Sequence, residues 1–359
     1  MKFVSEYRDK ALVENIVNEI RRVSHRDIAL MEVCGGHTMS IHKFGIPSLL
    51  PPNIRLLSGP GCPVCVTSKK YIDIAVHLSR HPDVIITTYG DLIRVPGSSG
   101  TLDMSKAAGN YIRIVYSTID ALKIARENPL KKIIFLGIGF ETTAPGTAAA
   151  IINAHQEGLT NFFIHSSHKI MPPAMEALIT EGVKIDGYIC PGHVSAITGS
   201  SIYEFIPAKY KLGCVIAGFE PTDILQSILM LVKQVEQQDT KVEIQYKRAV
   251  KPEGNLIAKA MLKEVFELGE EWWRGFGVIP LSGLKIREAY KQFNVSSHFD
   301  INVPEPKEDK GCCCGDILKG LKKPGDCKLF REVCTPENPI GACMVSNEGA
   351  CAAFYKYDN

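Results

Sequence analysis

The sequence predicts an α/β protein: two similar Rossmann-like domains whose parallel sheets face a cleft, followed by a helical and irregular, cysteine-rich C-terminal domain. Three observations predict it. Short apolar runs recur along the first two thirds of the chain, each closed by a glycine-rich turn. Segments of helical character alternate with those runs. Seven of the twelve cysteines crowd into residues 312–351, which sets that end apart from a body that uses few.

The apolar runs are Ile28–Val33 before CGGHT, Ile54–Leu57 before SGPGCPVC, Val84–Thr87 before TYGD and Ile133–Ile138 before GFETTAP. Phe162–His165 before SSHK, Tyr188–Ile189 before CPGH and Cys214–Ala217 before GFEPTD continue the series. Most lack polar alternation, which suits strands covered on both faces of a parallel sheet. Their order suggests a duplication, with CGGHT matched to GFETT, GPGC to CPGH and TYGD to GFEPTD. That places one domain at 26–126 and the other at 127–239.

A chain of 359 residues has room for a third unit, because single cores rarely grow past about 250–300 residues. Residues 1–25 read as an amphipathic helix, with Val13, Ile16, Val17 and Ile20 at helical spacing, expected to pack on the C-terminal domain. From 240 to 359 a charged helical stretch (Asn255–Glu271) leads through WWRGFGVIPLSGLKI and the linker VPEPKEDK to the cysteines. Such an end buries little core, and small modules of this kind need a metal or crosslinks to hold them.

Net charge is +2 without a long basic run, so a protein or small-molecule partner is expected and a nucleic acid is not. No apolar stretch approaches the roughly 18–20 residues of a membrane span. Charges interrupt the N-terminal helix throughout, so it lacks a signal-peptide core and a cytoplasmic location is expected. Twelve cysteines in a reducing compartment are metal ligands or redox thiols rather than structural crosslinks.

In the tail the candidates are Cys312, Cys313, Cys314, Cys327, Cys334, Cys343 and Cys351. Soft thiolates suit an iron–sulfur cluster, and a [4Fe–4S] cube takes four of them. Three adjacent cysteines cannot all face one cube, so at most two of 312–314 can ligate. The intervals 314 to 327, 327 to 334 and 334 to 351 match no ferredoxin pattern and leave the metal open, with zinc as the rival. The tail has no CxxC pair, which weighs against a zinc ribbon.

Cys34 ends a strand and is followed by two glycines and His37. Turns at the C-terminal edge of a parallel sheet line the crevice where ligands bind, and His37 is placed to bond or deprotonate the thiol. Cys62-Pro63-Val64-Cys65 is a CxxC before a helical stretch, Val66–Leu78, as suits a reversible disulfide. Glu141–Thr143, His168, His193, Asp91 and Arg94 are further polar residues at strand ends. Cys190 and Cys214 sit among apolar residues and read as core. No GxxxxGK[ST] run is present, so nucleotide hydrolysis has no support.

CGGHT, GPGCPVC, GFETTAP, PGHVS and CTPENPIGACMVSNEGACAA occur in this order, and with them the chain resembles the HypD family of [NiFe]-hydrogenase maturation factors along nearly its whole length. The resemblance implies two α/β domains around a cleft and a third carrying a [4Fe–4S] cluster. It implies partnership with HypC and HypE in building an Fe(CN)₂CO unit, with HypE as the cyanide donor. By motif, Cys34 would hold that iron together with a HypC cysteine, and Cys62 and Cys65 would be the redox pair. Cys314, Cys327, Cys334 and Cys351 would hold the cluster, with Cys312, Cys313 and Cys343 outside the set. The expected role is a redox-active assembly scaffold rather than a conventional turnover enzyme. An iron–sulfur thiol–disulfide reductase acting through Cys62 and Cys65 is the alternative.

Overall fold

The computed structural model describes residues 5–306 and 309–358. The first four residues of the expected 1–25 helix, two residues of the VPEPKEDK linker and the last residue lie outside the described residues. Eleven strands occur among those described: β1 (Ile28–Glu32), β2 (Ile54–Ser58), β3 (Val84–Thr88), β4 (Ile112–Ile114), β5 (Lys132–Gly139), β6 (Phe162–His168), β7 (Gly187–Pro191), β8 (Gly213–Ala217), β9 (Val242–Ile244), β10 (Phe266–Trp273) and β11 (Gly277–Ile286). Every residue of β1, β3, β7 and β8 is buried, including Glu32 at the end of β1 and Thr87 and Thr88 at the end of β3, as strands covered on both faces require.

Two parallel sheets result, one ordered β2-β1-β7-β8-β9 and the other β4-β3-β5-β6. The boundary expected at 126/127 cuts across both. The second sheet and its helices are inserted into the chain between β2 and β7, and the first sheet is completed only afterwards. Hydrogen-bonded register explains the choice of partner: Leu30, Met31 and Glu32 of β1 lie opposite Gly187, Tyr188 and Ile189 of β7. Numbered within each sheet, the orders are 2-1-3-4-5 and 2-1-3-4. The repeat is real in topology, but it pairs β1 with β3 and β7 with β5, not the motifs matched from sequence order.

The N-terminal helix Lys10–Val23 does not pack on the C-terminal domain. Its Ile16, Val17 and Ile20 meet Ile224, Leu225 and Ile228 of the helix Pro221–Gln237, on the outer face of the first sheet. That helix offers an apolar stripe of matching length, whereas the cysteine-rich end offers none. Ile20 is fully buried, so Ile20→Ala is expected to cost about 2–5 kcal/mol in urea unfolding.

The charged stretch expected to be helical to Glu271 is helical only over Leu256–Val265. From Phe266 it becomes β10, which pairs antiparallel with β11. Trp273 explains the switch: it is fully buried, stacks on Phe140 and donates its indole N–H to Ser282 Oγ (2.8 Å), so the segment must reach the second sheet as a hairpin. The helix expected over Val66–Leu78 is broken in two, a short turn Pro63–Val66 and the helix Lys69–Ser79 capped by Ser68. One continuous apolar core joins the facing sides of both sheets to residues of the C-terminal region, among them Met31, Ile134, Tyr188, Ile317 and Val345.

Candidate thiol and metal-binding site

In a sheet of order 2-1-3-4-5 the connections leave in opposite directions at strands 1 and 3, which opens a crevice at their C-terminal ends. Here those ends carry Cys34, two residues past β1, and His193, two residues past β7. Cys34 Sγ lies 3.7 Å from His193 Nε2 and 3.9 Å from Nδ1. His37, expected beside the thiol, turns instead to the Gly218 carbonyl (Nε2 to O, 3.0 Å) and stacks on Phe219. His193 stacks on the same ring, so Phe219 aligns both imidazoles.

The crevice is closed rather than open, and Cys34 is 1% exposed. Two segments cover it. Gly61 runs so close that a Cβ there would lie 2.1 Å from the Cys34 nitrogen, and Gly35 N–H donates to the Gly61 carbonyl (3.0 Å). On the other side a Cβ at Gly35 would lie 2.5 Å from Glu348 Cβ. Glu348 belongs to the SNEGA run of the C-terminal region, and its N–H donates to Ser346 Oγ, which in turn donates to Asp91 (2.7 Å). All three regions of the chain therefore meet at Cys34.

Electrostatically the site rests neutral. Burial, reinforced by Glu348, pushes the Cys34 thiol well above its usual range. Burial lifts Glu32 to about 8, although Thr38 hydroxyl (2.5 Å) and Cys34 N–H (2.9 Å) donate to it. It also lowers His37 to about 4 and lowers His193. A cation arriving here meets a protonated thiol, and binding must expel that proton.

Cys62 and Cys65 are joined as a disulfide one residue beyond Gly61, and neither is more than 3% exposed. Arg274, at the tip of the β10–β11 hairpin, donates from Nε to the Cys65 carbonyl (2.9 Å) and from Nη2 to the Thr67 carbonyl (2.8 Å).

In the C-terminal region Cys314, Cys327, Cys334 and Cys351 line one cavity together with Cys312, walled by Ile317, Leu329, Phe330 and Met344. Gly341 forms part of the wall because a Cβ would lie 2.5 Å from Cys314 Sγ and 2.8 Å from Cys312 Sγ. Cys313 and Cys343 are not in the lining. Cys343 is fully buried behind it, and hydrogen bonding with Cys314 and Cys351 lowers its thiol to about 5.

Of the remaining polar strand ends, Asp91 and Arg94 hold the segment around Ser346 that covers Cys34, whereas His168 and Glu141 lie elsewhere. His168 bonds Thr147 Oγ1 (3.0 Å) inside the second domain. Glu141 accepts from Met171 N–H (3.0 Å), its other oxygen has no partner among the described residues, and burial lifts it to about 7. Its raised value makes a stability contribution that is complete below the free carboxyl range and is lost as pH rises through 7. Relative to Glu141→Gln, the protein is expected to lose on the order of 3 kcal/mol in urea unfolding between pH 4.5 and pH 8.

The model of the HypD family, described as hydrogenase formation hypA family, matches residues 10–358. The chain belongs to the HypD family of hydrogenase maturation factors. It is 47% identical over 368 residues to hydrogenase maturation factor HypD2 of Bradyrhizobium diazoefficiens, covering 99% of this chain and 97% of that protein. It is 47% identical over 367 residues to hydrogenase maturation factor HypD of Azotobacter vinelandii, with the same coverage. A putative hydrogenase expression/formation protein of Methanocaldococcus jannaschii is 48% identical over 351 residues, 97% and 98% of the two chains. The HypD match thus takes in Cys34, the Cys62–Cys65 turn and the cysteine-lined cavity together. No described helix is long and apolar enough to cross a membrane.

The cavity fits an iron–sulfur cluster by its donors. Its polar lining is thiol, its walls are apolar, and its cysteines come from four separate stretches of the chain. Among the described residues no three or more His, Cys, Asp or Glu side chains are grouped as at a single-ion site. Glu348 stands in CTPENPIGACMVSNEGACAA and Arg274 in WWRGFGVIPLSGLKI, but nothing in either run points to Cys34 or Cys65 until the chain is folded. His193 was visible in PGHVS, but only the parallel register of β1 and β7 brings it to Cys34.

Proposed function

We propose that this hydrogenase maturation factor is a redox-active scaffold that holds one iron atom at Cys34 while cyanide and carbonyl groups are attached to it. HypC supplies a second cysteine to that iron and HypE delivers the cyanide. Iron carrying such ligands is low-spin and takes soft thiolate readily. Cys34 must give up its proton on loading, and neutral His193, within 3.7 Å, is the acceptor at hand. A cation loaded at the thiol draws the buried Glu32 and Glu348 toward their charged forms, so their carboxylates then counter its charge.

Cys314, Cys327, Cys334 and Cys351 would hold a [4Fe–4S] cluster, which supplies single electrons at low potential when bound. Cys62 and Cys65 cycle between disulfide and dithiol, taking up two electrons and two protons as the S–S bond opens. The observation that carries this reading is adjacency. Gly61 packs the disulfide turn directly against the Cys34 backbone, so a redox pair and a metal-binding thiol share one wall.

The rival thiol–disulfide reductase needs a substrate disulfide to reach Cys62 or Cys65. Exchange proceeds by in-line attack, and with both sulfurs buried a bulky substrate disulfide is hindered far more than a small dithiol, which needs only local opening of the turn. Iron analysis of the anaerobically purified chain, before and after mixing with HypC and ferrous iron, tests the scaffold. One iron gained beyond the cluster supports it. No gain, with an intact visible chromophore that dithionite bleaches, favours the reductase.

A further inference from the structure

The hairpin β10–β11 has no place in the iron site, yet its tip touches both redox elements. Three consecutive carbonyls from the last residue of CPVC onward accept from one residue: Cys65 from Arg274 Nε (2.9 Å), Val66 from the Arg274 backbone N–H (3.0 Å) and Thr67 from Nη2 (2.8 Å). The next residue faces the other way. Gly275 has φ +89°, and a Cβ there would lie 2.8 Å from the Gly315 carbonyl oxygen and 2.9 Å from Gly315 Cα. Gly315 follows Cys314, which lines the thiol cavity. Two glycine backbones in contact are the closest approach a chain can make, and the positive φ is one that L side chains seldom adopt.

The hairpin is itself anchored. Trp273 is fully buried, and Ile170 N–H, just past β6, donates to the Ser282 carbonyl of β11 (2.9 Å). A tip held by a buried tryptophan and a strand contact keeps a fixed position relative to the second sheet.

We propose that Arg274 and Gly275 form a positioning element that locks the Cys62–Cys65 turn against the cysteine-lined cavity and tunes the equilibrium of that disulfide. The proposal rests on the redox role assigned to Cys62 and Cys65. Its physical basis is preorganisation. A turn pinned at three successive carbonyls keeps the two thiols close after reduction, which raises their effective concentration and favours reclosure. The balance is that of any exchange: dithiothreitol gives up two electrons and two protons, its own ring disulfide forms, and the Cys62–Cys65 bond opens to two thiols.

The test is equilibration of the full-length, cluster-containing chain in graded dithiothreitol buffers, with acid quenching, thiol alkylation and peptide mass spectrometry of the 62–65 segment. Arg274→Gln is expected to shift the equilibrium toward the dithiol about tenfold, about 30 mV for a two-electron couple. Arg274→Lys, which keeps the charge and the backbone donor but not the fork, is expected to fall between. Iron content checks that the cavity is intact; if Arg274→Gln loses iron, Arg274→Lys decides. Midpoints within twofold of the parent for the iron-containing variants would overturn the positioning role. Failure of the redox reading looks different: the parent disulfide would then stay closed under dithionite, while the dithiothreitol midpoints would still report on the clamp.

Discussion

Replacing Cys34 with alanine is expected to abolish cyanide-ligated iron on the complex with HypC while leaving the iron–sulfur chromophore unchanged. The effect should be total rather than partial, because Cys34 is the thiol held beside His193 at the ends of β1 and β7. Loss of a thiolate removes a covalent metal–sulfur bond, not a tunable contact. Infrared spectra of the co-purified complex read the result directly, as the presence or absence of C≡N and C≡O stretching bands. His193→Ala should slow iron uptake without preventing it, since its role is to take the thiol proton. His37→Ala should act by a different route, loosening Phe219 and with it the alignment of His193. Bands that persist in Cys34→Ala would move the iron elsewhere.

The second large effect is expected in the C-terminal region. Cys334→Ala should lower cluster iron well below four atoms per chain, and the double variant Cys312→Ala/Cys334→Ala to near zero, because Cys312 is the further thiol in the lining that can take the vacated position. The consequence reaches beyond the cavity. Residues 309–358 contain few long apolar runs, and without the cluster they should become susceptible to limited proteolysis. That would uncover Cys34, since Glu348 lies on Gly35. Cys313→Ala is the control: its sulfur is outside the lining, and iron content should stay at the parental value. Iron and acid-labile sulfide assays with timed trypsin digestion separate these variants.

Much of this architecture was legible in the chain because glycine-rich turns mark the ends of parallel strands. Each of the seven apolar runs became a strand, shifted by a few residues at most. Which sheet each strand joins was not legible. A strand buried on both faces carries no alternation to reveal its neighbours, so β3 and β7 look alike in sequence although they belong to different sheets. The three-residue edge strands β4 and β9 give too short a pattern to read. The first six residues of β10, Phe266–Glu271, read as the end of a helix because Glu267, Glu270 and Glu271 fall at spacings that also suit a helix surface.

The site divides along the same line. Cysteines announce themselves by chemistry: Cys34, Cys62 and Cys65 lie around the first sheet, as does His37, and Cys314, Cys327, Cys334 and Cys351 lie around the cavity. Their supporting residues are ordinary by type. Glu348 and Arg274 acquire meaning only because folding carries residues more than two hundred positions away in sequence onto Cys34 and Cys65.

The central claim is that one chain keeps a cluster and a separate iron-holding thiol. Mössbauer spectroscopy of iron-57-labelled protein, purified anaerobically alone and with HypC, tests it most directly. The account predicts a [4Fe–4S] signal in both samples and an additional low-spin iron signal, about one quarter as intense, that appears with HypC and disappears in Cys34→Ala. A cluster signal alone in every sample, with HypC bound and iron in excess, would contradict it.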